Sequence, residues 1–214
     1  MASYVSKQIA SSAIKTKAGN TVVLGVEHCF PEFFNADFTK DEKNNSTLEP
    51  SRLDRFIFKI NNKPPKDKGN TISVKANFPS TEVGYVFDFT KQIFEKRNFG
   101  NIEKDEIEIY SSPVKYFTEQ DDNKHHRCYS LKIKYNKTRN YPIEITIENF
   151  FAPLKVEGKM TQIVMSEAHD KTYATMWMSF EEWYKNIIGH IDLCLKSYSY
   201  ASFEARFKNS LKPR

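Results

Sequence analysis

The sequence predicts an α+β fold of two tandem strands-then-helix units, forming antiparallel sheets packed on helices. Three observations lead there. Apolar residues alternate with a period of two through most of the chain and give way to helical spacing near residues 80 and 179. The same order, strands and then a helix, recurs in 1–100 and 101–214 without evident identity between the copies. Finally, 17 Phe and 11 Tyr stand beside only seven Gly, which favours strands and disfavours glycine-rich phosphate loops.

In the first unit the alternation marks four strands: Val5 running toward Lys17, Thr21 to Val26, Arg55 to Ile60, and Thr71 to Phe78. Gly19-Asn20 supplies the first turn. Residues 35–54, rich in Asn, Asp, Lys and Glu, read as a long loop without a core of its own. After Pro79, the residues Val83, Val86, Phe87, Thr90, Ile93 and Phe94 fall at helical spacing, with Ser80 placed to cap a helix over 80–97. Gly84 within it costs about 1 kcal/mol relative to Ala, which implies a close backbone contact there.

The second unit reads as strands at Ile107 to Thr118, Arg127 to Asn136 and Pro142 to Asn149, then one or two more between Lys159 and Met178. A helix follows from Ser179, which forms a capping box with Glu182. Its apolar stripe is Trp183, Ile187, Ile191, Cys194, Leu195 and Tyr198. Tyr184, Ile188 and Tyr200 widen that stripe, so either two half-cores share the helix or it meets another subunit; a homo-oligomer is the expectation. Each sheet is expected to carry a helix on one face and leave its other face or its edges free for binding.

At 214 residues the chain has the size of a single domain, 1–214, with this internal pseudo-repeat. A net charge of +5 fits an anionic partner as well as it fits plain solubility. Cys29, Cys128 and Cys194 lie far apart and in no metal-ligand spacing, so a reducing, cytoplasmic setting without a disulfide framework is expected. The opening residues lack a charged segment followed by an apolar one, and no window approaches 18 apolar residues, so neither export nor a membrane span is expected. Dinucleotide-fold, P-loop, zincin and nucleophile-elbow signatures are all missing, so the expectation is a binding protein with no catalytic residue, cofactor or metal. His125-His126-Arg127-Cys128 and Glu27-His28-Cys29 match no ligand set or Cys–His nucleophile context.

The most informative stretch is Tyr129 to Tyr135. Alternation puts Tyr129, Leu131, Ile133 and Tyr135 on a core face and Ser130, Lys132 and Lys134 on the other. With Lys115, Lys124, Arg127, Lys137 and Arg139 this makes a cation-rich segment. Cations that track phosphates and rings that stack on bases are what sequence-tolerant binding of single strands needs. A solvated, edge-protecting lysine face would look the same. Tyr173 and Trp177 form a stacking platform if Ala174, Met176 and Met178 point inward, whereas the reverse packing, which the average burial of Trp favours, hides the rings. Glu144, Glu148 and the acidic run from Glu103 to Glu108 are strands that an anion site must avoid.

The tandem order, Ser80-Thr-Glu-Val-Gly84 at the first helix, Lys15-Thr-Lys-Ala18 and the aromatic segment Ser197 to Phe203 resemble the plant Whirly family and, more loosely, PC4-like and PUR-type single-stranded DNA binders. Thr16 stands where that family has Gly. The resemblance implies sequence-tolerant binding of single strands along the sheets, in oligomers packed through helices. The expected function is therefore single-stranded DNA or RNA binding by a phage, bacterial or mobile-element protein. Lys15, Lys17, Lys59, Lys75, Arg127, Lys132 and Lys134 would meet phosphate, and Tyr116, Tyr173 and Trp177 would stack. The alternative is a protein-interaction or phage structural module that binds no nucleic acid.

Overall fold

A computed structural model describes residues 4–31, 55–65, 69–99, 104–111, 125–157, 160–197 and 200. The loop expected over 35–54 and the residues Lys115, Tyr116, Lys124, Tyr198 and Phe203 lie outside them.

The first four strands are β1 (Tyr4–Lys15), β2 (Thr21–Pro31), β3 (Arg55–Lys63) and β4 (Ile72–Pro79), an antiparallel meander in sequence order. The β1–β2 turn is closed by Thr16, whose N–H donates to Asn20 O at 2.9 Å and whose hydroxyl accepts from Asn20 N–H at 3.1 Å. Gly19 takes φ +83° there, and a Cβ on it would meet the Pro65 ring at 3.3 Å, so only glycine suits the position. Alternation then sorts the sheet: Val22, Leu24 and Val26, Phe56, Phe58 and Ile60, and Val74, Ala76 and Phe78 are buried on the inner face.

Helix α1 (Ser80–Phe99) leads to the second sheet: β5 (Lys104–Ser111), β6 (His125–Asn136), β7 (Ile143–Glu157), β8 (Met160–Ile163) and β9 (His169–Met178). β7 pairs with β6 and also with two later strands, β9 through Ile143 to Phe151 and β8 through Leu154 to Glu157. A 3-10 turn at Met165–Glu167 separates β8 from β9, so the stretch from Lys159 to Met178 is two strands. The second helix, α2, starts at Phe180–Glu182, winds as π-helix over Trp183–Ile188, and continues as helix through 189–197.

The result is an α+β protein with two antiparallel sheets, of four and five strands. One core joins both sheets and both helices. β4 touches β5, β6, β7 and β9, so the inner faces of the sheets also meet each other, and the π segment of α2 lies against β1 of the first sheet. The expected arrangement, one helix on each sheet, is thus replaced by a shared interior. Two sheets with adjacent apolar faces exclude more water by meeting than by each relying on a single helix. Trp183 bolts the helices together, its indole N–H donating to the buried Thr90 hydroxyl at 2.9 Å, while Phe94 stacks on Tyr184 with centroids 5.0 Å apart.

Local details depart from the sequence expectations. Ser80 lies within the helix, and its hydroxyl is buried without a hydrogen-bond partner among the described residues, so it is not the cap. A Cβ on Gly84 would meet nothing within 4 Å, so no close contact requires that glycine. Ser179 does cap α2, accepting from Glu182 N–H at 3.1 Å, but the Glu182 carboxylate accepts a hydrogen bond from the Ser12 hydroxyl of β1. Ile188 is buried in the protein's own core beside Ile187 within the π-helical segment, and Tyr184 packs on Phe94 and Phe180. The breadth of apolar residues at Tyr184 and Ile188 is therefore intramolecular. Among the described residues no helix is long and apolar enough to cross a membrane.

Candidate nucleic-acid interface

The outer face of the first sheet follows from its register. One row across the strands is Ser11, Gly25, Lys59 and Lys75, and the next rows are Ala13, Val23, Asn61 and Ser73, then Lys15, Thr21 and Lys63. Lys15, Lys59, Lys63 and Lys75 therefore share one face, and Glu27 lies on the adjoining row of that face, between Gln8 and Ile57. Lys59 stands directly opposite Lys75, a like-charge cross-strand pair that destabilises a sheet unless something anionic lies over it. No ion pair is made by any of these four lysines among the described residues. Lys17, in the β1–β2 turn, is exposed at the margin of the same sheet.

Gly25 sits mid-strand on this face. A Cβ there would meet nothing within 4 Å, and its φ is not left-handed, so neither packing nor backbone geometry calls for glycine. Glycine weakens a strand interior and marks places where a ligand or another backbone comes close. Together with Ser11 and Ala13 it leaves a shallow, smooth floor beside Lys59.

The second sheet is organised differently. Tyr129, Leu131, Ile133 and Tyr135 pack inward and Lys132 and Lys134 point outward. On either side of β6, however, run the acidic strands. Lys132 lies 3.5 Å from Glu106 and 3.6 Å from Glu108, and Lys134 lies 3.8 Å from Glu144, which also takes Arg139 at 3.0 Å. These cations are already neutralised. Ala174, Met176 and Met178 are in the core, so Tyr173, 67% exposed, and Trp177, 37% exposed, face outward, against the average burial of Trp. The Trp177 indole N–H donates to Glu144 at 3.1 Å, and Tyr110 is also exposed on this face. The expected rings and the unpaired lysines thus lie on different sheets.

Arg127 is elsewhere again, its guanidinium 4.9 Å above the Phe151 ring in a cluster with His125 and His169. Among the described residues no group of three or more His, Cys, Asp or Glu could hold a metal ion. Burial pushes the Cys128 thiol up to about 11, so it is a poor nucleophile at neutral pH.

Sequence reasoning missed Lys63 and Arg55. Both continue the alternation of Ile57, Lys59 and Asn61 along one side of β3, and that period was the signal that could have found them. Compared with protein families, with curated proteins and with solved structures, the chain has no significant match.

Proposed function

We propose that the protein binds single-stranded nucleic acid with little sequence preference, its phosphates lying on the outer face of the first sheet. The observation that carries this is a lysine face without ion pairs among the described residues, above all Lys59 opposite Lys75. Cations held at fixed spacing on a flat sheet release counterions when a phosphate backbone lies across them, whatever its sequence. Lys132 and Lys134 do not serve this surface, because a phosphate there would have to displace Glu106, Glu108 and Glu144. The test is fluorescence anisotropy with labelled oligonucleotides at two salt concentrations. Micromolar binding that weakens steeply with salt, and is lost in Lys59→Glu/Lys75→Glu, is expected; absence of binding at low salt refutes the proposal.

A second reading, protein interaction, rests on the outer face of the second sheet. Tyr110, Tyr173 and Trp177 are exposed among lysines and glutamates that already satisfy one another. Aromatic rings surrounded by internally paired charge are the composition of a protein-docking surface more than of a phosphate-binding one. A partner retained through nuclease and high-salt washes, and lost in Tyr173→Ala, would favour it.

A further inference from the structure

Arg55 is only 7% exposed, yet the groups that hold it are neutral. Its Nε donates to Asn77 Oδ1 at 2.7 Å, and its Nη2 to the Asn77 carbonyl at 3.2 Å and the Ser111 hydroxyl at 3.0 Å. No carboxylate pairs with it among the described residues, and Nη1 is left without a protein acceptor there. Buried charges are ordinarily paired with an opposite charge or neutralised. Desolvation lowers the Arg55 pKa, while Tyr129 and Cys29 beside it raise it. Arg55 also lies four residues before Lys59 on the same side of β3, roughly 13 Å along the strand. The basic face therefore runs into a fixed guanidinium with one edge unused among the described residues.

We infer that Arg55 is an anchor for a terminal phosphate of the bound strand, received at the Nη1 edge while Asn77 and Ser111 hold the other side of the fork. This rests on the reading of the first sheet as a nucleic-acid surface. An internal phosphodiester carries a sugar on each side and cannot follow the guanidinium into so buried a position. A phosphate at a chain end projects and carries more negative charge, which matches a cation that has no counter-ion among the described residues. Arginine suits this role better than lysine because its planar fork can be locked on one edge and still offer N–H groups on the other. The lysines then hold the strand by charge alone, and Arg55 sets where it ends.

The experiment uses the full chain and three probes: an oligothymidylate with hydroxyl ends, the same oligonucleotide with a terminal phosphate, and inorganic phosphate. Oligonucleotide affinity is read by anisotropy, and inorganic phosphate by the arginine Nε–H resonances in nitrogen-15 NMR spectra. The terminal phosphate is expected to tighten binding about tenfold or more, as a charge-assisted hydrogen bond does. Inorganic phosphate is expected to move one protected arginine resonance. Arg55→Lys keeps the charge and should lose the tenfold preference, and Ser111→Ala, which leaves Arg55 in place, should lose part of it. Lys59→Glu should weaken both oligonucleotides alike and leave the phosphate response intact. If the unmodified protein binds no oligonucleotide but phosphate still moves the Arg55 resonance, the basic-face reading fails and the strand anchor falls with it, leaving Arg55 as a site for free phosphate. Equal affinity for the two oligonucleotides, or no response to phosphate, overturns the inference and leaves Arg55 as a bolt between β3, β4 and β5.

Discussion

Replacing Gly25 by threonine separates folding from binding in a way few substitutions do. Gly25 lies mid-strand on β2, between Ser11 of β1 and Lys59 of β3, on the outer face. The space its Cβ would enter is empty within 4 Å and its φ is not left-handed, so the fold has no reason to resist a side chain. A β-branched residue is preferred over glycine in a strand by about 1 kcal/mol, through reduced unfolded-state freedom and better cross-strand packing. For a chain of this size that raises Tm by about 2–4 °C. The same methyl and hydroxyl rise from the floor beside Lys59 and keep a nucleotide from lying flat. Lifting the nucleic-acid backbone away from Lys59 so that one charge-assisted phosphate contact is lost costs about 1.5–3 kcal/mol, or roughly ten- to 150-fold in affinity. Thermal melting followed by circular dichroism and oligonucleotide anisotropy on the same preparation measure both effects. A variant with raised Tm and unchanged affinity would refute the assignment of this face, and a lowered Tm would refute the claim that the space is open.

Further expectations concern charge, core and pH. Lys75→Ala should lessen the slope of log affinity against log salt by about 0.7, the value for one phosphate contact to a single strand, whereas Lys132→Ala should leave it unchanged because Lys132 is held by Glu106 and Glu108. Thr90→Val should lower stability by about 1–3 kcal/mol in urea unfolding, since it strands the buried Trp183 indole N–H that now donates to Thr90 at 2.9 Å. Ile188→Ala should cost about 2–5 kcal/mol with no change in mass by light scattering, because Ile188 is in the core and not between subunits. With the Cys128 thiol raised from its ordinary 9.0 to about 11, the unfolded chain loses this proton first as pH rises. Stability from Cys128 is therefore complete below pH 9 and declines between 9 and about 11, by about 3 kcal/mol at roughly 1.4 kcal/mol per unit. A Cys128→Ala variant should show a flatter decline over that window.

Which side chains share a face was legible in the sequence, because side-chain direction along a strand is local and has a period of two. That period placed Leu131 and Ile133 inward with Lys132 and Lys134 outward, and linked the inward Met176 and Met178 to the outward Tyr173 and Trp177. The switch from that period to helical spacing marked where both helices begin. What each outward residue faces depended on pairing between segments far apart in the chain, which no local pattern encodes. Register alone set Glu106, Glu108 and Glu144 beside Lys132 and Lys134, turning the most basic stretch of sequence into a neutral surface. Register also put Lys59 against Lys75, giving the less conspicuous lysines of the first sheet an unpaired face. Tertiary packing closed Asn77 and Ser111 around Arg55, and buried Ile188 together with Ile187 in the core. A side chain's direction is a property of its own strand, whereas its partner is a property of the sheet, and only the folded sheet supplies the charge that decides what can bind.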